Sequence, residues 1–228
     1  MQIALAGTPA DDIVDELTAI DTIECVSREK ADLLVTIGAD ALADCANRSE
    51  PRPILPAGVE TPLSPSREQL VDVFERLPAE PSTVEVRPLS VTAGDASTTA
   101  VFDTALVTSE PARISEYTVS VGDRPHATFR ADGVVVATPL GSSGYGRAAG
   151  GPQLEPATGV AVVPIAPFAT HTDTWVLKPP LSVRVEREDS VTVFADTTHL
   201  AVGARPLTVE VTSAAPLSIV DSRGLSSP

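Results

Sequence analysis

Phe129-Arg130-Ala131-Asp132-Gly133-Val134-Val135-Val136-Ala137-Thr138-Pro139-Leu140-Gly141-Ser142-Ser143-Gly144-Tyr145-Gly146-Arg147-Ala148-Ala149-Gly150-Gly151-Pro152 carries most of the information in the chain. The apolar run Val134 to Ala137 has strand length. It empties into a loop with five glycines, two adjacent serines and one of only two tyrosines in the sequence. Small residues let backbone N–H groups approach a ligand closely, hydroxyls add donors, and a tyrosine ring offers a stacking face for a base. A glycine-rich turn joining two β elements has the same composition, so the residues alone leave both readings open.

Working outward, the flanking sequence is of one texture. Val84-Glu85-Val86, Ser115 to Val121, Val160 to Val163, Val183-Arg184-Val185 and Val191-Thr192-Val193 alternate or run apolar over strand lengths, with Pro, Gly and Asp between them. Apart from a short turn after Ser142, no long helical pattern interrupts residues 82 to 215, which are expected to form a β-rich, sandwich-like domain. The N-terminal third reads differently. Residues 2 to 6 form a short apolar strand, and Thr8-Pro9 has the form of a helix start. Ile13, Val14, Leu17 and Ile20 then recur at helical spacing. Leu33 to Ile37 is a continuous apolar run, as a parallel strand covered on both faces should be. A second helix is expected from Ser64 to Leu77, opened by a Ser66-x-x-Gln69 box. Residues 1–78 are therefore assigned to a small, shortened Rossmann-like α/β unit, 78–82 to a linker and 216–228 to a C-terminal tail.

The 228 residues carry 16 Lys plus Arg against 31 Asp plus Glu, a net charge of −15. That balance argues against nucleic acid and anionic membranes as partners, since both need a positive surface. Only Lys30 and Lys178 are lysines. An acidic, lysine-poor surface suits a halophilic setting, where salt screens carboxylate repulsion over a few ångströms. No apolar run reaches membrane-spanning length and the N-terminus lacks a basic signal, so a cytoplasmic protein is expected. Cys25 and Cys45 show no CxxC spacing, and the three histidines are scattered, so no metal site is expected.

The segment resembles the NAD kinase (ATP-NAD kinase) family, whose β-rich domain carries a D-G-x-x-x-x-T-P-x-G-S/T-T-A-Y-x-x-x-x-G-G-P run. Asp132-Gly133, Thr138-Pro139, Gly141-Ser142, Tyr145 and Gly150-Gly151-Pro152 fall in register with it. Downstream, Pro164 to His171 is similar to the family's P-I-x-P-H-S-L stretch. Upstream, Ala31 to Gly38 is similar to the strand leading into its G-G-D-G-T turn. The resemblance implies an α/β unit and a β-rich domain with a dinucleotide site in the cleft between them. It implies phosphate transfer from ATP or another NTP, with Mg²⁺, to the 2′-hydroxyl of the adenosine ribose of NAD, giving NADP. It also implies NAD(H), NADP and ATP as ligands and a homodimer or homotetramer.

Carried onto this chain, the resemblance makes Asp40 the catalytic base, and Gly38 and Ala39 the holders of donor phosphate. Asp103, Asp132, Thr138, Gly141, Ser142, Ser143, Gly144, Tyr145 and His171 become the NAD-binding set, with Asp132 placed to serve a neighbouring subunit. Arg130 and Arg147 are further phosphate candidates. The chain departs from the family at three places. Gly38-Ala39-Asp40-Ala41-Leu42 replaces two glycines by alanine and the threonine by leucine, and an alanine forced to φ > 0 would be strained. The family's Asn-Glu pair falls on Asp103-Thr104, so the carboxylate of its second member is lost. Only 37 residues precede Gly38, and a β-α unit beside the donor site is expected to be missing. An NAD(P)-binding paralogue with impaired catalysis, acting as a sensor or assembly partner, is the alternative. A lipid-kinase relation is disfavoured by the D-G-x-x-x-x-T-P-x-G-S run.

Overall fold

The structure is a computed structural model that describes residues 1–7, 11–110, 114–169, 173–187, 190–203 and 206–225. The chain divides into two compact units, Met1–Val86 with Pro216–Pro228, and Arg87–Ala215.

In the first unit, β1 (Gln2–Gly7), α1 (Asp11–Thr18), β2 (Glu24–Cys25), β3 (Leu33–Ile37), α2 (Ala39–Asn47), β4 (Ile54–Ala57), α3 (Leu70–Arg76) and β5 (Thr83–Val86) follow one another. Strands β1 to β4 pair in parallel in the order β2-β1-β3-β4. All five residues of β3 are buried, as its unbroken apolar run requires of a central parallel strand. Ile13 and Leu17 of α1 and Leu70, Val73 and Phe74 of α3 join Leu33, Val35 and Ile37 in one apolar core. The second helix starts at Leu70 rather than Ser64. Gln69 Oε1 accepts the Ser66 N–H at 3.0 Å, so the box closes a turn ahead of the helix. Thr8-Pro9 lies outside the described residues.

Among the described residues the second unit is built from strands, with one short helix and a 3-10 turn at Gly141–Ser143. In order they are β6 (Leu89–Ala93), β7 (Ala96–Ala100), β8 (Asp103–Thr108), β9 (Ser115–Val121), β10 (Arg124–Ala131), β11 (Gly133–Ala137), α4 (Tyr145–Ala148), β12 (Val160–Ile165), β13 (Trp175–Leu177), β14 (Leu181–Val185), β15 (Val191–Ala195), β16 (Thr198–Gly203) and β17 (Leu207–Ser213). They form two antiparallel six-stranded sheets, β10-β9-β14-β17-β6-β7 and β13-β12-β11-β8-β15-β16. Inward residues of both sheets, among them Val91, Leu106, Val119, Val134, Val136, Val162, Val183, Val193 and Val209, make one core. This is a β-sandwich.

The period of two along β11 sends Val134 and Val136 into that core and Val135 and Ala137 to the opposite face. There they meet Ala105, Ala161 and Val163, covered by Ala149 and Leu154 from the segment after Tyr145. With each buried Val contributing about 1.5 to 3 kcal/mol, β11 is a strand anchored on both faces. The loop that follows it therefore springs from a rigid platform.

Two assigned boundaries need correction. The first unit extends to Val86, because β5 is a strand of its sheet, not part of the second domain. Residues 216–228 are not simply a tail. β18 (Leu217–Val220) lies between β4, to which it is parallel, and β5, to which it is antiparallel. Its Leu217, Ile219 and Val220 are fully buried, which fixes the chain there. Ser226-Ser227-Pro228 lies outside the described residues.

Candidate functional site

The glycine-rich loop is held by its own hydroxyls. Thr138 Oγ1 donates to the Val101 carbonyl at 2.6 Å and accepts the Gly141 N–H at 3.2 Å, while the Thr138 N–H donates to the Phe102 carbonyl at 2.8 Å. A Cβ at Gly141 would collide with the Phe102 backbone, so only glycine lets the turn lie on residues 101–102. Ser142 Oγ donates to the Pro139 carbonyl at 2.8 Å and accepts the Leu154 N–H at 2.9 Å, tying the start of the loop to its return. Thr138 and Ser142 are 0% exposed. Their hydroxyls are hydrogen-bonded to the backbone and shape the loop.

Ser143 differs. Its Oγ is buried without a hydrogen-bond partner, a cost of about 1 to 3 kcal/mol unless something else satisfies it. Two residues on, Tyr145 opens α4 with 44% of its surface exposed. Gly146 lets that helix settle on β11, since a Cβ there would approach Ala137 Cβ to 2.8 Å. The loop thus presents an exposed aromatic ring and one uncommitted hydroxyl on a fixed frame.

Against it stands a pair of half-buried carboxylates. Asp196, in the turn between β15 and β16, has φ 51° and turns its side chain onto the start of β8. Its Oδ2 accepts the Val101 N–H at 2.8 Å, and its Oδ1 accepts those of Phe102 at 2.7 Å and Asp103 at 3.1 Å. The Asp196 N–H in turn donates to the Asp103 carbonyl at 2.8 Å. Burial raises the Asp196 carboxyl, opposed by those three N–H donors. Among the described residues no such donors reach the Asp103 carboxyl. Burial, and then the charge of Asp196, push it up to about 7. Burial followed by the Asp103 charge also raises the Tyr145 phenol.

Asp103 and Thr104 face opposite ways along β8. Thr104 is fully buried, its Oγ1 donating to the Phe194 carbonyl at 2.7 Å. Of the expected NAD-binding residues, the structure brings Asp103, Thr138, Gly141, Ser142, Ser143, Gly144 and Tyr145 to one end of β11, where Ala137 pairs with Asp103. Asp132 lies at the other end, five residues or roughly 17 Å along the strand, with its N–H on the Ile165 carbonyl. Arg130 lies over the Phe168 ring at 5.5 Å, and Arg147 is exposed. His171 lies outside the described residues. Asp196 went unnoticed in the sequence, where an aspartate between two strand-like runs signals only a turn.

In the first unit Gly38 takes φ 86°, and α2 begins directly after it. Ala39 and Ala41 lie within that helix, so neither needs φ > 0 and the anticipated strain does not arise. Ala39 and Asp40 are exposed in its first turn, whereas Leu42 is 0% exposed. Gly38 supplies no side-chain cap, which leaves the first N–H groups of the helix without intrahelical partners. Among the described residues no group of three or more His, Cys, Asp or Glu is placed to hold a metal ion. No described helix is long and apolar enough to cross a membrane.

Residues 103–215 match the model of the ATP-NAD kinase C-terminal domain, the whole sandwich beyond its first hairpin. The NAD kinase of Methanosarcina barkeri is 32% identical over 163 residues, 68% of this chain and 59% of that protein. That of Methanosarcina acetivorans is 30% identical over 197 residues, 83% of this chain and 70% of that protein. Two solved structures share the fold. One is yeast NADH kinase complexed with NADH, with a TM-score of 0.73, 15% identity and coverage of 96% of this chain and 83% of that one. The other is an NAD kinase from Archaeoglobus fulgidus in complex with ATP, with a TM-score of 0.73, 21% identity and coverage of 99% and 96%. The chain belongs to the NAD kinase family.

Proposed function

We propose that the protein phosphorylates the 2′-hydroxyl of the adenosine ribose of NAD, using ATP or another NTP, to give NADP. The observation that carries the reading is the loop from Thr138 to Tyr145, frozen onto residues 101–102, in a chain of this family. Tyr145 offers its exposed ring to a base, Ser143 its free hydroxyl, and Asp103 a carboxyl to the sugar or phosphate edge. Thr138, Gly141 and Ser142 act by holding the loop in place.

Asp40 is assigned as the base. It accepts the 2′-hydroxyl proton as that oxygen bonds to the γ-phosphorus and the bond to the bridging oxygen breaks, releasing ADP. The unpaired N–H groups after Gly38, at the positive end of the α2 dipole, suit donor phosphate. Mg²⁺ is proposed to enter the reaction with the NTP substrate. The proposed assembly is a homodimer or homotetramer in which Asp132 serves the site of a second copy.

A second reading, a paralogue that binds NAD(P) without transferring phosphate, is favoured by Leu42, whose side chain is committed to the core where the family's turn has a hydroxyl. The two separate cleanly. NADP formation is measured from NAD, ATP and Mg²⁺ in molar KCl, alongside calorimetric NAD binding. Turnover is expected; binding without turnover selects the second reading, and folded protein that does neither overturns both.

A further inference from the structure

We propose that Asp196 is a positioning residue for the dinucleotide: acting through the peptides of residues 101–103, its carboxylate fixes where the loop from Thr138 to Tyr145 stands, and so sets NAD affinity. The inference rests on reading this loop as the NAD site. Asp196 sits in a two-residue hairpin turn, Asp196-Thr197, between the paired Ala195 and Thr198. Such a turn needs only a residue that tolerates its φ of 51°, which glycine or asparagine does as well as aspartate. It does not need a carboxylate laid against three consecutive N–H groups 93 to 95 residues upstream, which is what Asp196 provides.

The far edge of the same peptides carries the loop. The peptide joining Val101 to Phe102 donates its N–H to Asp196 Oδ1 at 2.7 Å, and its carbonyl accepts Thr138 Oγ1 at 2.6 Å. The next peptide donates its N–H to the same oxygen at 3.1 Å, and its carbonyl accepts the Thr138 N–H at 2.8 Å. Two consecutive peptide units are thus each held between Asp196 and Thr138. A charged acceptor polarises a peptide and makes its carbonyl a better acceptor in turn, so the Asp196 carboxylate strengthens both bonds to Thr138. Thr138, a β-branched side chain stiff at χ1, passes the position on. Its Oγ1 accepts the Gly141 N–H at 3.2 Å, and Gly141 lies against the Phe102 backbone where no Cβ would fit. Ser143 and Tyr145 follow within four residues, so the groups offered to the ligand take their place from this relay.

The test is calorimetric titration with NAD of the full chain and of Asp196→Ala, Asp196→Asn and Val183→Ala, each in molar KCl under conditions where circular dichroism shows it folded. Val183 is buried in the sandwich core on β14, outside the relay, and supplies a destabilised control. Asp196→Ala should lose about tenfold or more in NAD affinity. Asp196→Asn, which keeps an acceptor oxygen without the charge, should lose about threefold, and Val183→Ala should bind as the parent does. This graded order is what a role in stability alone does not produce among folded chains. A folded Asp196→Ala chain with the parent's affinity overturns the inference and leaves the NAD site standing, as does an equal loss in Val183→Ala. Should the alanine variant not fold, Asp196→Asn decides, and unchanged affinity there overturns the inference. A parent chain that binds no NAD overturns the reading of the loop and the inference with it.

Discussion

Replacing Asp196 by alanine removes the acceptors of three backbone N–H groups at once, in the turn on which the loop is built. Val101 is fully buried, so its N–H has no route to water, while Phe102 and Asp103 are half-buried. Each orphaned donor costs about 1 to 2 kcal/mol, and an alanine held at φ 51° adds roughly 1 kcal/mol. Relief of burying a carboxylate returns part of this, so a net loss of roughly 3 to 5 kcal/mol is expected. Asparagine is the informative control. It keeps one oxygen for Phe102 and Asp103 and tolerates the left-handed conformation, but it turns an NH₂ towards the Val101 N–H. Its loss should be about 1 to 2 kcal/mol, and with the neighbouring charge gone Asp103 should titrate lower. Urea unfolding of the three proteins at one pH and one salt concentration gives the ordering. An alanine variant within about 1 kcal/mol of the parent would mean that the three N–H groups find water readily, and the rigidity assigned to the loop would fail with it.

Two further outcomes follow from the same geometry. The folded-state pKa of Asp103 lies above that of the unfolded chain, so the native state binds the extra proton and stability falls as pH rises from about 3.8 to about 7. Relative to the parent, Asp103→Asn should therefore gain stability by roughly 2 to 3 kcal/mol between about pH 5 and pH 8 in denaturant titrations, and a difference independent of pH would contradict the raised value. Gly141→Ala drives a methyl into the Phe102 backbone and should cost about 3 kcal/mol in the same assay, with NAD affinity lost as the loop lifts; a stable, binding-competent variant would show that the turn is not seated on residues 101–102.

What was legible in the sequence is what local pattern dictates. Leu33 to Ile37, apolar but for Thr36, had to be a strand covered on both faces, and Val134 to Ala137 followed by five glycines had to be a strand entering a tight loop. The family motif then supplied roles that spacing alone leaves open. What was illegible depends on contacts across long stretches of chain. Asp196 reaches partners 93 to 95 residues upstream, so nothing near it in sequence marks it as the clamp of β8. Leu217 to Val220 is four residues long, and its apolar character explains nothing until β4 and β5 are seen on either side. Ala39 and Ala41 misled in the opposite direction. Read against a glycine-rich turn they looked strained, but Gly38 alone absorbs the positive φ and the next residue is already helical.

The acidic character of the chain also divides into two populations that obey different physics. Most of its 31 carboxylates contribute to a surface field, and molar salt with a Debye length of about 3 Å reduces their mutual repulsion to contact range. Asp103 and Asp196 are withdrawn from that bath, and both are raised by burial before any neighbour acts. Three backbone N–H donors act on the Asp196 carboxylate, so the two carboxyls differ in how far a charge on each is supported. An asparagine at position 103 would supply the same hydrogen-bonding shape without the pH dependence. The pH dependence expected at this position is thus a property of the withdrawn carboxyls, separate from the surface charge.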